Sequence, residues 1–258
     1  MRSQSRILRF LAFSITRSPG SPASAGVAVA GVGSPDHPIT RFSTFFIFLL
    51  LLCRTLALAA DPSVQRIASR VDRRYNHLTS LKAQFQENYN GAGLTRNESG
   101  ELWLQKPGKM RWQYEEPTQK LFIVDGKNAF FYVPSERQAR RMPAKKLDDF
   151  RSPIRYLLGH TKLQQEFTKL AISSETPKQP GDVVLEGIPK GMEDRVQRVL
   201  LEITPSDQIA RIRIEELDGS STEFTFRDLQ ENLTVKPDLF RFTPPAGVEI
   251  VEGENIEP

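Results

Sequence analysis

The chain predicts a mainly β fold of the α+β kind, one strongly curved antiparallel sheet or incomplete barrel with helices on its concave side. Three observations carry this expectation. Period-two alternation recurs in segment after segment between Gly, Pro and Asp turns, as in Phe224/Phe226 against Thr225/Arg227. Helical spacing is sustained over only one long stretch, near residues 62–79. Leu121-Phe-Ile-Val124 and Ala129-Phe-Phe-Tyr-Val133 are apolar on both faces, so that hairpin must be covered on both sides.

In chain order, Asp61-Pro62 is an N-cap followed by proline at the first helical position, and Val64, Ile67, Ala68, Val71, Tyr75 and Leu78 form the apolar stripe of the helix that follows. The period then changes to two. Leu81, Ala83 and Phe85 alternate with Lys82, Gln84 and Gln86, and Asn90-Gly91-Ala92-Gly93 marks a turn. Gly100 to Pro117 reads as two strands around Pro107-Gly108, expected as a type II turn in which Pro107 presets φ and Gly108 supplies a positive one. Met110, Trp112 and Tyr114 share one face of the second arm. On the first arm Leu102 and Leu104 share a face and Trp103 stands opposite.

The hairpin 119–133 turns at Asp125-Gly126-Lys127. Pro134 to Lys146 is polar and basic. Ile154, Leu157 and Leu158 lie on one face of a short helix ending near Gly159, which reads either as a lid across a cavity or as a core-filling crossover. A further helical turn is expected within 161–167, and strands at 183–188, 196–203, 209–214 and 222–229 complete a count of eight or nine.

Residues 1–60 are expected to lie outside this fold. The apolar run 42–53 has signal-peptide length, follows Arg41 and precedes Ala57-Leu-Ala-Ala60, which places cleavage near Ala59 to Asp61. It is too short to span a membrane, which takes roughly 20 apolar residues. Residues 61–258 are then one domain. Of 35 basic and 31 acidic residues, the first 60 hold six arginines and one aspartate, so the remainder stands near −1 and gives no reason to invoke nucleic acid. Cys53, the single cysteine, falls in the leader, so no disulfide or thiolate ligand is expected beyond it.

Catalytic patterns are thin. His77 and His160 are the histidines after the leader, and each fits a helix end better than a base. No nucleophile is paired with a base, and neither Asp148-Asp149 nor Glu215-Glu216 is a ready dyad, because neighbours diverge on strand and helix alike. No enzyme activity and no cofactor are expected. The aromatic inventory suits an adaptable apolar cavity and a filled core equally well.

Gly100-Glu-Leu-Trp-Leu104, Lys106-Pro-Gly-Lys-Met-Arg-Trp112, Val124-Asp-Gly-Lys127, Phe131-Tyr-Val-Pro134, Pro153-Ile-Arg-Tyr-Leu-Leu158 and Phe240-Arg-Phe-Thr-Pro-Pro-Ala-Gly-Val248 together resemble the LolA-like periplasmic lipoprotein carriers. The resemblance implies an unclosed β-barrel whose helices form a lid over an apolar cavity. It implies a monomeric carrier that takes acylated lipoproteins from an inner-membrane ABC transporter and yields them to an outer-membrane acceptor. Candidate ligand and lid residues are then Lys106, Met110, Trp103, Trp112, Phe122, Ile154, Leu157 and Leu158. The family commonly has arginine at the position of Lys106, where it ties sheet to lid, and often phenylalanine at that of Met110, associated with transporter docking. A cell-envelope lipid-binding or sensor module of the same shape is the alternative function.

Overall fold

The computed structural model describes residues 62–150 and 162–253. Helix α1 (Pro62–His77) buries Val64, Ala68, Val71 and Tyr75 along one stripe, as their spacing requires. A long meander follows: β1 (Ser80–Gly91), β2 (Leu94–Gln105), β3 (Lys109–Glu116), β4 (Lys120–Asp125), β5 (Asn128–Val133) and β6 (Gln138–Pro143). After 3-10 turns at Ala144–Phe150 and the single-turn helix α2 (Leu163–Glu166), a second meander runs through β7 (Phe167–Ile172), β8 (Val183–Pro189), β9 (Val196–Ile203), β10 (Ile209–Glu216) and β11 (Ser221–Glu231). A 3-10 turn at Pro237–Phe240 leads to β12 (Glu249–Glu252).

The twelve strands form one sheet in the order β12-β6-β5-β4-β3-β2-β1-β11-β10-β9-β8-β7. Its ends are β12 and β7, so it does not close. The two meanders meet where β1 pairs antiparallel with β11, Phe85 opposite Phe226 and Glu87 opposite Phe224. All pairings are antiparallel except that of β12 on β6.

Alternation assigns the faces. The inner face, which shares a core with α1, carries Leu81, Ala83 and Phe85 of β1, Leu102 and Leu104 of β2, Met110, Trp112 and Tyr114 of β3, and Phe224 and Phe226 of β11. The hairpin of β4 and β5 is covered on both sides, as its composition requires. Phe122 and Val124 face inward, while Phe130 stacks on Phe242 at 5.2 Å and Phe240 is buried, so the C-terminal segment lies across the outer face. Arg111 fixes this segment by donating to the Leu239 carbonyl at 3.3 Å.

Several expectations change. At the Pro107 turn the Lys106–Pro107 peptide is cis, and Gly108 takes the positive φ of 62° foreseen for it. β1 extends to Gly91, so only Ala92 and Gly93 turn the chain, both at positive φ as a two-residue hairpin loop demands. Among the described residues there are twelve strands rather than eight or nine. β6 escapes the pattern because its two buried residues, Ala139 and Met142, stand on opposite faces of a strand otherwise polar and basic. β7 and β12 are edge strands with too few buried positions to alternate visibly. The helix expected around Ile154 to Leu158 lies outside the described residues, as does His160.

Candidate functional site

Among the described residues, the inner face of β3 and its neighbours joins the rings of Phe85, Trp112, Tyr114, Phe224 and Phe226 in one cluster. Trp112 sits at its centre, fully buried, with ring centroids 4.9 Å from Phe85 and 5.6 Å from Phe224. Tyr114 meets Phe85 edge-on at 4.9 Å, and Phe224 stacks on Phe226 at 6.4 Å. Across the sheet Trp112 stands opposite Leu102 on one side and Phe122 on the other. Met110 lies one row towards the Pro107 turn, opposite Leu104 and Val124. Met110, Trp112 and Phe122 are therefore brought together, each on the inner face.

Trp103 is not part of this group. It points to the outer face, where its indole donates to Glu101 and the Lys82 ammonium lies 4.6 Å from its ring centroid. A single odd position between inward Leu102 and Leu104 required this. Ile154, Leu157 and Leu158 lie outside the described residues.

Lys106 occupies the seam between sheet and helix. Its ammonium donates to the carbonyl oxygens of Tyr75 at 2.6 Å and Asn76 at 3.0 Å, in the last turn of α1. Those carbonyls lack intrahelical partners and carry the negative end of the helix dipole, so a cation suits them. Burial holds the ammonium below the usual lysine range. A space of about 10 Å³ remains beside it, walled by Leu78, Leu81 and Leu104. The other end of the same helix turn is held by Tyr75, whose hydroxyl accepts from the Ile209 amide at 2.8 Å, and by Arg74, which pairs with Glu231 at 2.7 Å.

Beyond the aromatic row, towards the Ala92-Gly93 turn, the inner face becomes polar. Glu87 and Glu98 face each other across β1 and β2, both buried. Tyr114 donates to Glu87 at 2.7 Å, while Arg96 and Lys120 each reach Glu98 at 2.8 Å. Desolvation pushes the Glu87 carboxyl above the usual range despite the Tyr114 hydrogen bond and the Arg96 charge. The Tyr114 hydroxyl is pushed up by burial and by the Glu87 charge.

Residues 76–243 match the profile of the family described as outer membrane lipoprotein carrier protein LolA. The chain belongs to the LolA family. A protein from Nitrosospira multiformis named outer-membrane lipoprotein carrier protein is 29% identical over 216 residues, covering 82% of this chain and 97% of that one. Another of the same name from Methylococcus capsulatus is 30% identical over 212 residues, covering 81% and 97%. Among solved structures, a LolA superfamily protein from Nitrosomonas europaea is similar at 12% identity with a TM-score of 0.39, covering 69% of this chain and 97% of that one. The LolA family match begins at the last turn of α1 and ends just past Phe242, so it takes in the Lys106 seam, the aromatic face and the C-terminal segment on the outer face.

One polar cluster on the LolA fold has no signature in the sequence. Arg211 alternates with inward Ile212 and so faces outward, yet its side chain is only 3% exposed. It binds Glu202 at 2.7 Å on β9, Glu175 at 2.9 Å in the segment between β7 and β8, and Glu223 at 3.1 Å on β11. Glu202 also accepts from the Lys178 and Gln179 amides, so the segment 173–182 is tied over this face.

Proposed function

We propose that this protein is a periplasmic carrier that binds the acyl chains of lipoproteins released from the inner membrane and delivers them to the outer membrane. The observation that carries the reading is the contiguous aromatic and aliphatic inner face of an unclosed sheet in a chain of the LolA family. Burial supplies the reason for such a protein. At ~0.8 kcal/mol per CH₂ removed from water, a multiply acylated polypeptide does not leave one membrane for another unescorted. In this reading Met110, Trp112 and Phe122 face the acyl chains, Lys106 holds α1 against the sheet in the closed form, and the segment with Ile154, Leu157 and Leu158 is the lid. Trp103, on the outer face, takes no acyl chain. The rings of Phe85, Trp112 and Phe224 touch in the closed form and part to admit cargo.

The partners are an inner-membrane lipoprotein-releasing ABC transporter and an outer-membrane acceptor, engaged by a monomer. Residues 1–60 are the export leader, removed near Ala59 to Asp61, and residues 61–258 are the carrier domain. Native mass spectrometry of the protein purified from its own envelope tests these statements together. The expected spectrum shows a chain starting at Ala60 or Asp61 and adducts whose masses are those of di- or triacylated polypeptides. A chain retaining residues 42–53, or one carrying free phospholipid and no acylated polypeptide, overturns the carrier reading.

A further inference from the structure

The aromatic cluster of the inner face contains two side chains able to donate a hydrogen bond, Tyr114 and Trp112. Tyr114 gives its O–H to Glu87. Among the described residues the Trp112 indole N–H has no acceptor, although the residue is fully buried. Of its neighbours across the sheet and in ring contact, Leu102, Phe122, Phe85 and Phe224 carry no acceptor, and Tyr114, stacked at 6.4 Å, has its hydroxyl on Glu87. A buried donor without a partner is uncommon, because the group has lost its hydration and gained nothing in exchange. A trapped water would itself need about two to four polar partners, which this wall does not provide.

We propose that the Trp112 indole N–H is a ligand-binding donor that receives the carbonyl oxygen of an ester- or amide-linked acyl chain lying along the inner face. The proposal rests on the carrier reading and adds where the cargo's acyl linkage sits. A single donor in an apolar wall selects a ligand with one acceptor in an otherwise apolar body. An acyl ester or amide has that form. The rows on either side give the ligand a direction. Towards the Pro107 turn they are Met110, Leu104 and Leu81, and towards the Ala92-Gly93 turn they are Tyr114 and then Glu87 and Glu98. The alkyl tail therefore lies towards α1 and the polar end of the cargo towards the two carboxylates, with Arg96 and Lys120 beside them.

The test compares methyl palmitate with hexadecane as competitors of a fluorescent apolar dye on wild type and Trp112→Phe. The variant is expected to lose roughly three- to tenfold in affinity for the ester, the worth of one hydrogen bond, and to bind the alkane unchanged. Equal loss for both compounds, or loss for neither, overturns the proposal. Should Trp112→Phe fail to fold, the wild type still decides. Trp103→Phe leaves a single indole ¹H–¹⁵N signal and so assigns that of Trp112, which is expected to move downfield with the ester and not with hexadecane. An unmoved signal when both compounds bind defeats this proposal alone. Wild-type protein that binds neither compound defeats the carrier reading and this proposal with it.

Discussion

Lys106 gives a lysine at a turn two duties, neutralising the end of α1 and joining that end to β2. Replacing it with leucine removes both hydrogen bonds to the last turn of α1. The loss is expected to be about 1–2 kcal/mol in urea unfolding, with transfer of acylated cargo between vesicles falling in parallel. Lys106→Arg is expected to keep both, since a guanidinium can serve two acceptors at once. Equal stability and transfer in all three proteins would make Lys106 a turn residue only. Glu87 makes a different prediction, one of pH. Its folded-state carboxyl titrates above the ordinary 4.5, so ionisation burdens the folded state more than the unfolded one. Stability from this group therefore falls as pH rises from about 4.5 through the folded value, and is level beyond. Glu87→Gln keeps an acceptor for Tyr114 and removes the charge, with Arg96, Glu98 and Lys120 still in place. The variant's stability relative to wild type is expected to grow across that window and then stay constant. A relative stability that declines with pH would mean that Arg96 and Lys120 outweigh desolvation. Parity along the strands makes Met110, Trp112 and Phe122 legible from residue order alone, and the same parity places Glu87 inward, two residues after Phe85. Its signal is that of an odd polar residue on an apolar row.

At the scale of elements, Arg211 shows what alternation cannot say. Period two assigns it to the outer face of β10, but whether that face meets water depends on the segment 173–182, whose path no local pattern specifies. Once the segment is in place, Arg211 binds three carboxylates from three different parts of the chain. Arg211→Met leaves Glu202, itself 2% exposed, with an uncompensated charge, and is expected to cost about 3–5 kcal/mol. Replacing Glu202 with leucine in the same chain is expected to recover part of that loss and not all, because the Lys178 and Gln179 amides then lose their acceptor. Additive losses in this double-mutant cycle would show that the two side chains do not act as a pair. The hairpins are legible because each turn carries its own chemistry, as at Asp125-Gly126-Lys127, where Asp125 accepts from the amides of Lys127 and Asn128 at 2.7 Å. β7 and β12 are not, because an edge strand is specified by what it pairs with more than by what it contains, and interior β6 is not, because its two buried residues stand on opposite faces.

At the scale of the whole molecule, the sheet is two meanders that meet only at β1 and β11. Every other antiparallel pair is a neighbour in sequence or nearly so, and its turn can form as soon as both arms exist. The meeting of β1 with β11 joins Leu81 to Glu231, and its border is closed by Asn232, whose side chain accepts from the Thr79 amide at 2.9 Å while its own amide donates to the Ser80 carbonyl. The aromatic face is divided by this junction, with Trp112 in one meander and Phe224 in the other. A chain emerging from its N-terminus, whether from a ribosome or through a membrane pore, therefore displays half of its apolar face to water until residue 231 has followed. Completion of the fold is timed by the last fifth of the chain. The protein thus stays threadable for most of its length and exposes, during that interval, the kind of surface that other chaperones bind.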